Sequence, residues 1–309
     1  MLVLAAVVVT GVWWSRLGRT PQATAVEVAG GDGGRLPRND PGAEGFDPAA
    51  LQSALAQEPG ARALLVMRHE HLVYEAYGTA TDANTLLDGG GFAAALAALA
   101  AGVAVTQDGL SLAVLTPFDP PAVAGAVASA SHMTYAQFLS RNVWQPLNAA
   151  PARLLAPRPG VSSSTGSALS ARAIDWLRVA GLLLHDGRFE GTQVVPSGWV
   201  ARMLPRREGG SEQMGWGLYP GSAAGGAEPF ASDGVYYLRG PGATRLWLVP
   251  RLDLAILRAT AGGDGADGAD GVDGGAAGDE TRLPNRVIRA VRDRPQSGGV
   301  SLRDLVPGH

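Results

Sequence analysis

A chain of 309 residues that is 46% hydrophobic is long enough for one large folded domain or two small ones. Its formal charge of -3, from 25 basic against 28 acidic residues, provides no excess for a phosphate backbone or a polybasic membrane contact, so nucleic acid is not an expected partner. The absence of cysteine removes disulfides, thiolate metal sites and thiol catalysis, and leaves the redox compartment undetermined.

Leu2 to Trp14 is an apolar run broken only by Thr10 and Gly11, and it ends in Trp13-Trp14 ahead of Arg16 and Arg19. At about 1.5 Å per residue it falls short of a ~30 Å hydrocarbon core, so a full span needs tilt, snorkelling arginines or an upstream start. The tryptophan pair suits an interfacial belt. Neither a preceding basic region nor a small-residue cleavage site is clear, so residues 1–19 are expected to be an uncleaved membrane anchor or signal-like segment, with a buried N-terminal helix as the alternative. Residues 20–46 carry threonine, glycine, proline and scattered charge without apolar periodicity and are expected to be a linker, with the folded domain over 47–309.

Asp47 followed by Pro48 predicts a capped helix running to about Gln57. Ala63 to Arg68 and Leu72 to Gly78 are β-rich and pair as a hairpin around His69-Glu70-His71. Those two histidines supply half of the roughly four ligands a structural zinc site needs, so a solvated turn is expected and no metal.

Gly89-Gly90-Gly91 then opens an alanine- and leucine-rich helix from Phe92 to Val105 that is apolar on every face and therefore belongs at the centre of the core. Met133 to Trp144 shows helical apolar spacing at Tyr135, Phe138, Leu139 and Val143 behind Thr134 as cap. Ser170 to Leu184 is the strongest helical pattern in the chain, ended by His185-Asp186-Gly187, and Ser197 is expected to cap another helix.

Met214 to Tyr219, Thr244 to Val249 and Leu252 to Arg258 read as strands, the last two joined by a tight turn at Pro250-Arg251. Residues 262–280 form a Gly/Asp/Ala tract that lacks the regular nonapeptide of a calcium-binding β-helix and are expected to be a flexible acidic loop. A helix from Leu283 to Arg292 closes the pattern. Hairpin, buried helix, further helices, a strand group and a terminal helix imply an α+β fold with an antiparallel sheet flanked by helices.

Leu65-Val66-Met67-Arg68 with Val73-Tyr74-Glu75 and Tyr77-Gly78, the helix at 91–105, Trp144-Gln145-Pro146-Leu147 and Asp175-Trp176-Leu177-Arg178 form one series of marks. Leu182 to Gly187, Val195 to Trp199 and Leu248 to Leu254 continue it. In this order and spacing they resemble the serine β-lactamase and penicillin-binding-protein-like family, specifically its class C-like β-lactamase-related serine hydrolases of bacteria, over most of residues 47–309. The resemblance implies a β-lactamase/transpeptidase-like fold, here with a shortened helical subdomain.

In that family a serine opens the buried helix and a lysine lies three residues later to take its proton. The matching positions are Gly91 and Ala94. The family's second tyrosine or serine motif lies in a helical insertion, and the corresponding Leu112-to-His132 segment holds neither tyrosine nor tryptophan. A third element, Lys/His-x-Gly on the strand beside the nucleophile, corresponds to Arg239-Gly240-Pro241-Gly242-Ala243-Thr244, and Arg239 substitutes for it only if its side chain points inward. Arg239, Gly240, Gly242 and Thr244 are thus the candidate remnant of a binding cleft.

The expectation is a membrane-anchored homologue without catalysis, in the bacterial inner membrane with its domain in the periplasm, or exported. It would bind or scaffold, its ligand a peptide or a cell-wall-like small molecule, with no cofactor; its oligomeric state is open. The alternatives are a serine hydrolase whose nucleophile has moved to Ser162-Ser163-Ser164-Thr165, where no lysine or histidine stands at i+3 or i+4, and a decaying gene product.

Overall fold

The computed structural model describes residues 25–58, 60–155, 169–205, 207–208, 211–212, 215–260 and 279–293. The expected anchor at 1–19, the Ser162-to-Thr165 cluster, nearly all of the acidic loop and the C-terminal tail lie outside those residues.

The chain opens with β1 (Ala25–Val28), α1 (Pro48–Ala56), β2 (Ala63–Arg68), β3 (His71–Tyr77) and β4 (Leu86–Asp88). Helices α2 (Phe92–Gln107), α3 (Pro120–Ser131) and α4 (Tyr135–Leu139) follow, the last running into a π-helical turn at Ser140–Trp144. Next come β5 (Ala152–Leu155), β6 (Leu169–Arg172), α5 (Ala173–Leu184), β7 (Arg188–Phe189), β8 (Thr192–Gln193) and α6 (Trp199–Met203). The chain continues through β9 (Arg207–Glu208), β10 (Ser211–Glu212), β11 (Tyr219–Pro220), β12 (Tyr236–Arg239), β13 (Arg245–Val249), β14 (Leu254–Ala259) and α7 (Arg282–Ala290).

The frame is a six-stranded antiparallel sheet in the order β11-β12-β13-β14-β2-β3. Period-2 alternation sends Leu65, Met67, Leu238, Leu246, Leu248, Ala255 and Leu257 to one face, where they join α2 and α5 in the larger core. Leu64, Val66, Tyr237, Trp247, Leu254 and Ile256 go to the other, against Leu51 and Leu55 of α1 and Leu283, Val287 and Ile288 of α7. The sheet is thus covered by helices on both sides, as the α+β expectation requires. A second antiparallel sheet, β1-β5-β6-β4, stands beside the first.

Several local expectations are met and others corrected. Asp47 caps α1, its Oδ1 accepting from the Ala49 and Ala50 amides at 3.0 and 3.1 Å. Thr134 forms a complete capping box with Gln137. Residues 25–46, expected to be a linker, are part of the fold: β1 pairs with β5, and Val28 and Leu36 are buried. The stretch is held through main-chain groups, with the Gly33 and Gly34 carbonyls accepting from Arg172 and Arg178, so it needs no apolar period.

Ser170 to Arg172 extend as β6 instead of starting α5, because pairing with β4 and β5 overrides their local helical pattern. Ser197 is not a cap; its Oγ donates to Asp186 Oδ2 at 3.0 Å, and Gly198 precedes α6 instead. Of the expected strand at 214–219 only Tyr219 pairs among the described residues. The Leu112-to-His132 bridge folds into a 3-10 turn at Leu112–Leu115 and α3. His71 belongs to β3, which leaves His69-Glu70 as a two-residue turn, and Pro250-Arg251 opens a 3-10 turn to Leu252.

Candidate active site

The two positions that the resemblance makes catalytic do lie together. Gly91 immediately precedes α2 in αR geometry and Ala94 sits half-buried one turn on. Apart from Ala94, helix α2 is buried from Phe92 to Ala104, as its composition requires. Alanines on every side let large groups approach its axis: Trp199 packs on Gly102 and donates its Nε1–H to the Ala98 carbonyl at 2.8 Å.

The glycine run exists because three separate neighbours press on it. A β-carbon at Gly91 would meet the Arg239 carbonyl oxygen at 2.5 Å, and one at Gly90 would meet Pro241 Cδ at 2.9 Å. One at Gly89 would strike the Trp176 indole, itself wedged edge-on between Phe92 and Trp144 with ring centroids 5.4 and 6.1 Å away. The place a serine side chain would need at 91 is therefore taken by main chain. Gly217 covers the next turn, where a β-carbon would run into the Ala94–Ala95 backbone. Beside it, Trp216 stacks on Phe118 and tilts against Trp199, with centroids at 6.4 and 5.7 Å.

The amides on either side of Gly91 are also engaged. Phe92, Ala93 and Ala94 donate to the carbonyls of Gly89, Gly90 and Gly91 at 2.9, 3.1 and 3.1 Å. Gly89 donates to Leu169, and Gly90 donates to the Asp88 carboxylate at 2.9 Å. A helix N-terminus normally attracts an anion. Here an acidic side chain already stands at the entry, and the first-turn donors are engaged. The void against α2, lined by residues including Ala93, Leu96, Ala97 and Tyr135, measures about 10 Å³, room for at most one water.

The remnant strand turn seals the site rather than lining a cleft. Tyr236 and Leu238 face α2, so Arg239 projects to the opposite face with Tyr237. Its guanidinium lies 4.4 Å from the Tyr219 ring centroid and donates to the Tyr237 hydroxyl at 3.0 Å. The inward orientation needed to replace a Lys/His-x-Gly cation is thus absent: Arg239 offers Gly91 a carbonyl, not a charge. Gly240 closes the hairpin by donating to the Thr244 carbonyl at 2.9 Å, and a β-carbon there would meet the Thr244 methyl at 2.7 Å. Gly242 takes a left-handed φ of 57° in the same turn, and Thr244, buried, accepts from the Thr260 amide at 3.1 Å.

The amine that the resemblance expects at position 94 has no counterpart there. All 25 basic residues of the chain are arginines, so no lysine exists to pair with a serine anywhere. That fact is legible in the sequence and is stronger than the mismatch at position 94. Tyr135 is on the flank of α2, where burial pushes its phenol well above its ordinary range and keeps it protonated. His71 pairs with Arg68 at one end of β2, with His69 and His185 past it, whereas Arg239 is level with Leu64 near the Ala63 end across β13 and β14. The length of β2, six residues at about 3.3 Å each, separates them from Gly91. Among the described residues no group of three His, Asp or Glu side chains is arranged to hold a metal ion, and no helix is long and apolar enough to cross a membrane.

No family model and no curated protein matches the chain. Solved structures do. A Bacillus anthracis protein assigned as a 6-aminohexanoate-dimer hydrolase superposes with a TM-score of 0.59 at 13% identity, covering 82% of this chain and 90% of that one. A penicillin-binding-protein homologue from Caulobacter crescentus gives 0.55 at 12% identity over 78% and 97%. A family VIII carboxylesterase gives 0.54 at 12% identity over 78% and 97%. The fold is that of the β-lactamase and penicillin-binding-protein-like serine hydrolases.

Proposed function

We propose that this chain is a non-catalytic homologue of the β-lactamase-related serine hydrolases, a pseudoenzyme that keeps the fold for binding or scaffolding. The observation that carries the proposal is the Arg239 carbonyl, which stands 2.5 Å from where the β-carbon of a nucleophile at Gly91 would be. Loss of the nucleophile from a serine hydrolase costs about 10⁶ in kcat. The absence of lysine from the whole chain removes the family's base as well.

The apolar run Leu2 to Trp14 would tether the domain to the bacterial inner membrane, on the periplasmic side, or mark it for export. A peptide or a cell-wall-like small molecule is the partner class we assign, bound on a surface other than the sealed helix entry.

The test is turnover by the full-length protein in detergent. A chromogenic β-lactam and a short-chain nitrophenyl ester should be hydrolysed no faster than by buffer, and a fluorophosphonate probe should leave no serine labelled. Hydrolysis that copurifies with the protein would overturn the proposal. Labelling mapped to Ser162, Ser163 or Ser164 would replace it with the relocated-nucleophile alternative.

A further inference from the structure

At the end of the six-stranded sheet away from Gly91, three chain reversals meet the C-terminal end of α5. The His69-Glu70 turn between β2 and β3 has φ of 50° and 62°, Asp253 ahead of β14 has 47°, and Glu190 between β7 and β8 has 45°. Left-handed backbone is uncommon outside glycine, with His and Asp adopting it more readily than most side chains. His185, which ends α5, is the group that joins these turns.

The His185 Nε2 lies 2.7 Å from Asp253 Oδ1, within a hydrogen bond. Its Nδ1 lies 3.2 Å from Glu70 Oε1, within ion-pair range though off the line of a hydrogen bond. Glu70 Oε1 also accepts from the Glu190 amide at 3.1 Å, and the His69 amide donates to the Asp253 carbonyl at 3.1 Å. His69, Glu70, His185, Arg188, Gly191 and Asp253 enclose an open groove of about 280 Å³.

A ring with a carboxylate at each nitrogen is matched only by its cation. Neutral imidazole has one N–H and one lone pair, and would turn that lone pair toward one of the two acids. The helix C-terminus also favours positive charge. Burial alone pushes the His185 pKa down, but the hydrogen bond and charge of Asp253, with the charge of Glu70, outweigh it and hold the ring above its ordinary value. Of the other groups here, Glu190 and Arg188 lie at the exposed rim, and His69 is paired with Glu44 at 2.7 Å. Asp186, next along the chain, accepts from Ser197 and the Gly198 amide through Oδ2.

We propose that His185 is a proton-operated clamp: as the imidazolium it ties the end of α5 to the β2–β3 and β13–β14 turns and, through Glu70, to the β7–β8 turn. On losing its proton it releases them and widens the groove. The clamp is fully closed below the ordinary imidazole value of 6.5 and opens as pH rises through the higher value held in the fold.

The test is a pH series on the full-length protein, following the His185 ring by NMR and the Glu190 and His69 amides by hydrogen exchange. His185 should titrate above 6.5. Protection of the two turn amides should fall by up to about tenfold per pH unit across its titration, while the Ile256 amide in the sheet centre holds. Glu70→Gln and Asp253→Asn should each bring the His185 midpoint down, and His185→Gln should give the low alkaline protection already at pH 5. A His185 midpoint at or below 6.5, or turn amides whose protection ignores pH, would overturn the clamp. The wild-type titration decides the matter even where a variant fails to fold.

Discussion

The Arg239 carbonyl that occupies the place of a side chain at position 91 is not free to move. Arg239 pairs with Arg245 in the β12–β13 hairpin, and the next residue, Gly240, is tied to Thr244. Gly91→Ala should therefore destabilise the protein by about 1–3 kcal/mol, the range for overpacking, although alanine is the better helix former. Urea denaturation measures it, and a neutral or stabilising result would show that the hairpin yields. For the same reason Gly91→Ser combined with Ala94→Lys should restore no hydrolysis of a chromogenic ester: the residues would return and the room for them would not. Glycine and alanine at the two positions that the resemblance makes catalytic are plain in the sequence, but the occupied space is a tertiary fact, created by a turn about 150 residues away.

Among the elements, those defined by side-chain chemistry are legible and those defined by main-chain partners are not. Helix α2 follows from its alanine-rich composition, and α1 from Asp47-Pro48. Strand β1 leaves no such trace, because its approach to the fold runs through glycine carbonyls reached by two arginines. The anchor of that arrangement is Asp175, fully buried, whose carboxylate accepts from Arg172 at 2.8 Å and from Arg178 at 2.5 Å. Both arginines continue to the Gly33 and Gly34 carbonyls. Removing one partner of a buried pair leaves the other charge uncompensated, at a cost of about 3–5 kcal/mol. Asp175→Ala should lower stability by that amount, and the amides of Ala25 to Val28 should lose exchange protection first. An even loss across both sheets would argue against a dedicated strap.

At the scale of the whole molecule the two ends of the large sheet differ: one is sealed by main chain and aromatic rings, the other carries ionisable turns. That difference gives stability a defined pH course. Asp47, Asp82, Asp279 and Glu228 are held below their ordinary values, 3.8 for the aspartates and 4.5 for the glutamate, mainly by hydrogen bonds from nearby amides, hydroxyls and guanidinium groups. A carboxyl with a lowered folded pKa contributes stability that is present above its unfolded value and lost as pH falls through the folded one. His185 has the opposite sign, contributing fully below 6.5 and losing that contribution as pH rises through its raised folded value. The four carboxyls are exposed or nearly so, and their limb is shallow and screened by salt.

The chain should therefore be most stable between about pH 4.5 and 6.5, with an alkaline decline that depends on one residue. Urea midpoints measured from pH 4 to 9 should show the plateau, and His185→Gln should flatten the alkaline side while leaving the acid side in place. A midpoint that climbs from pH 6 to 8 would contradict the sign assigned to His185. An alkaline decline that persists in His185→Gln would place its origin in another group.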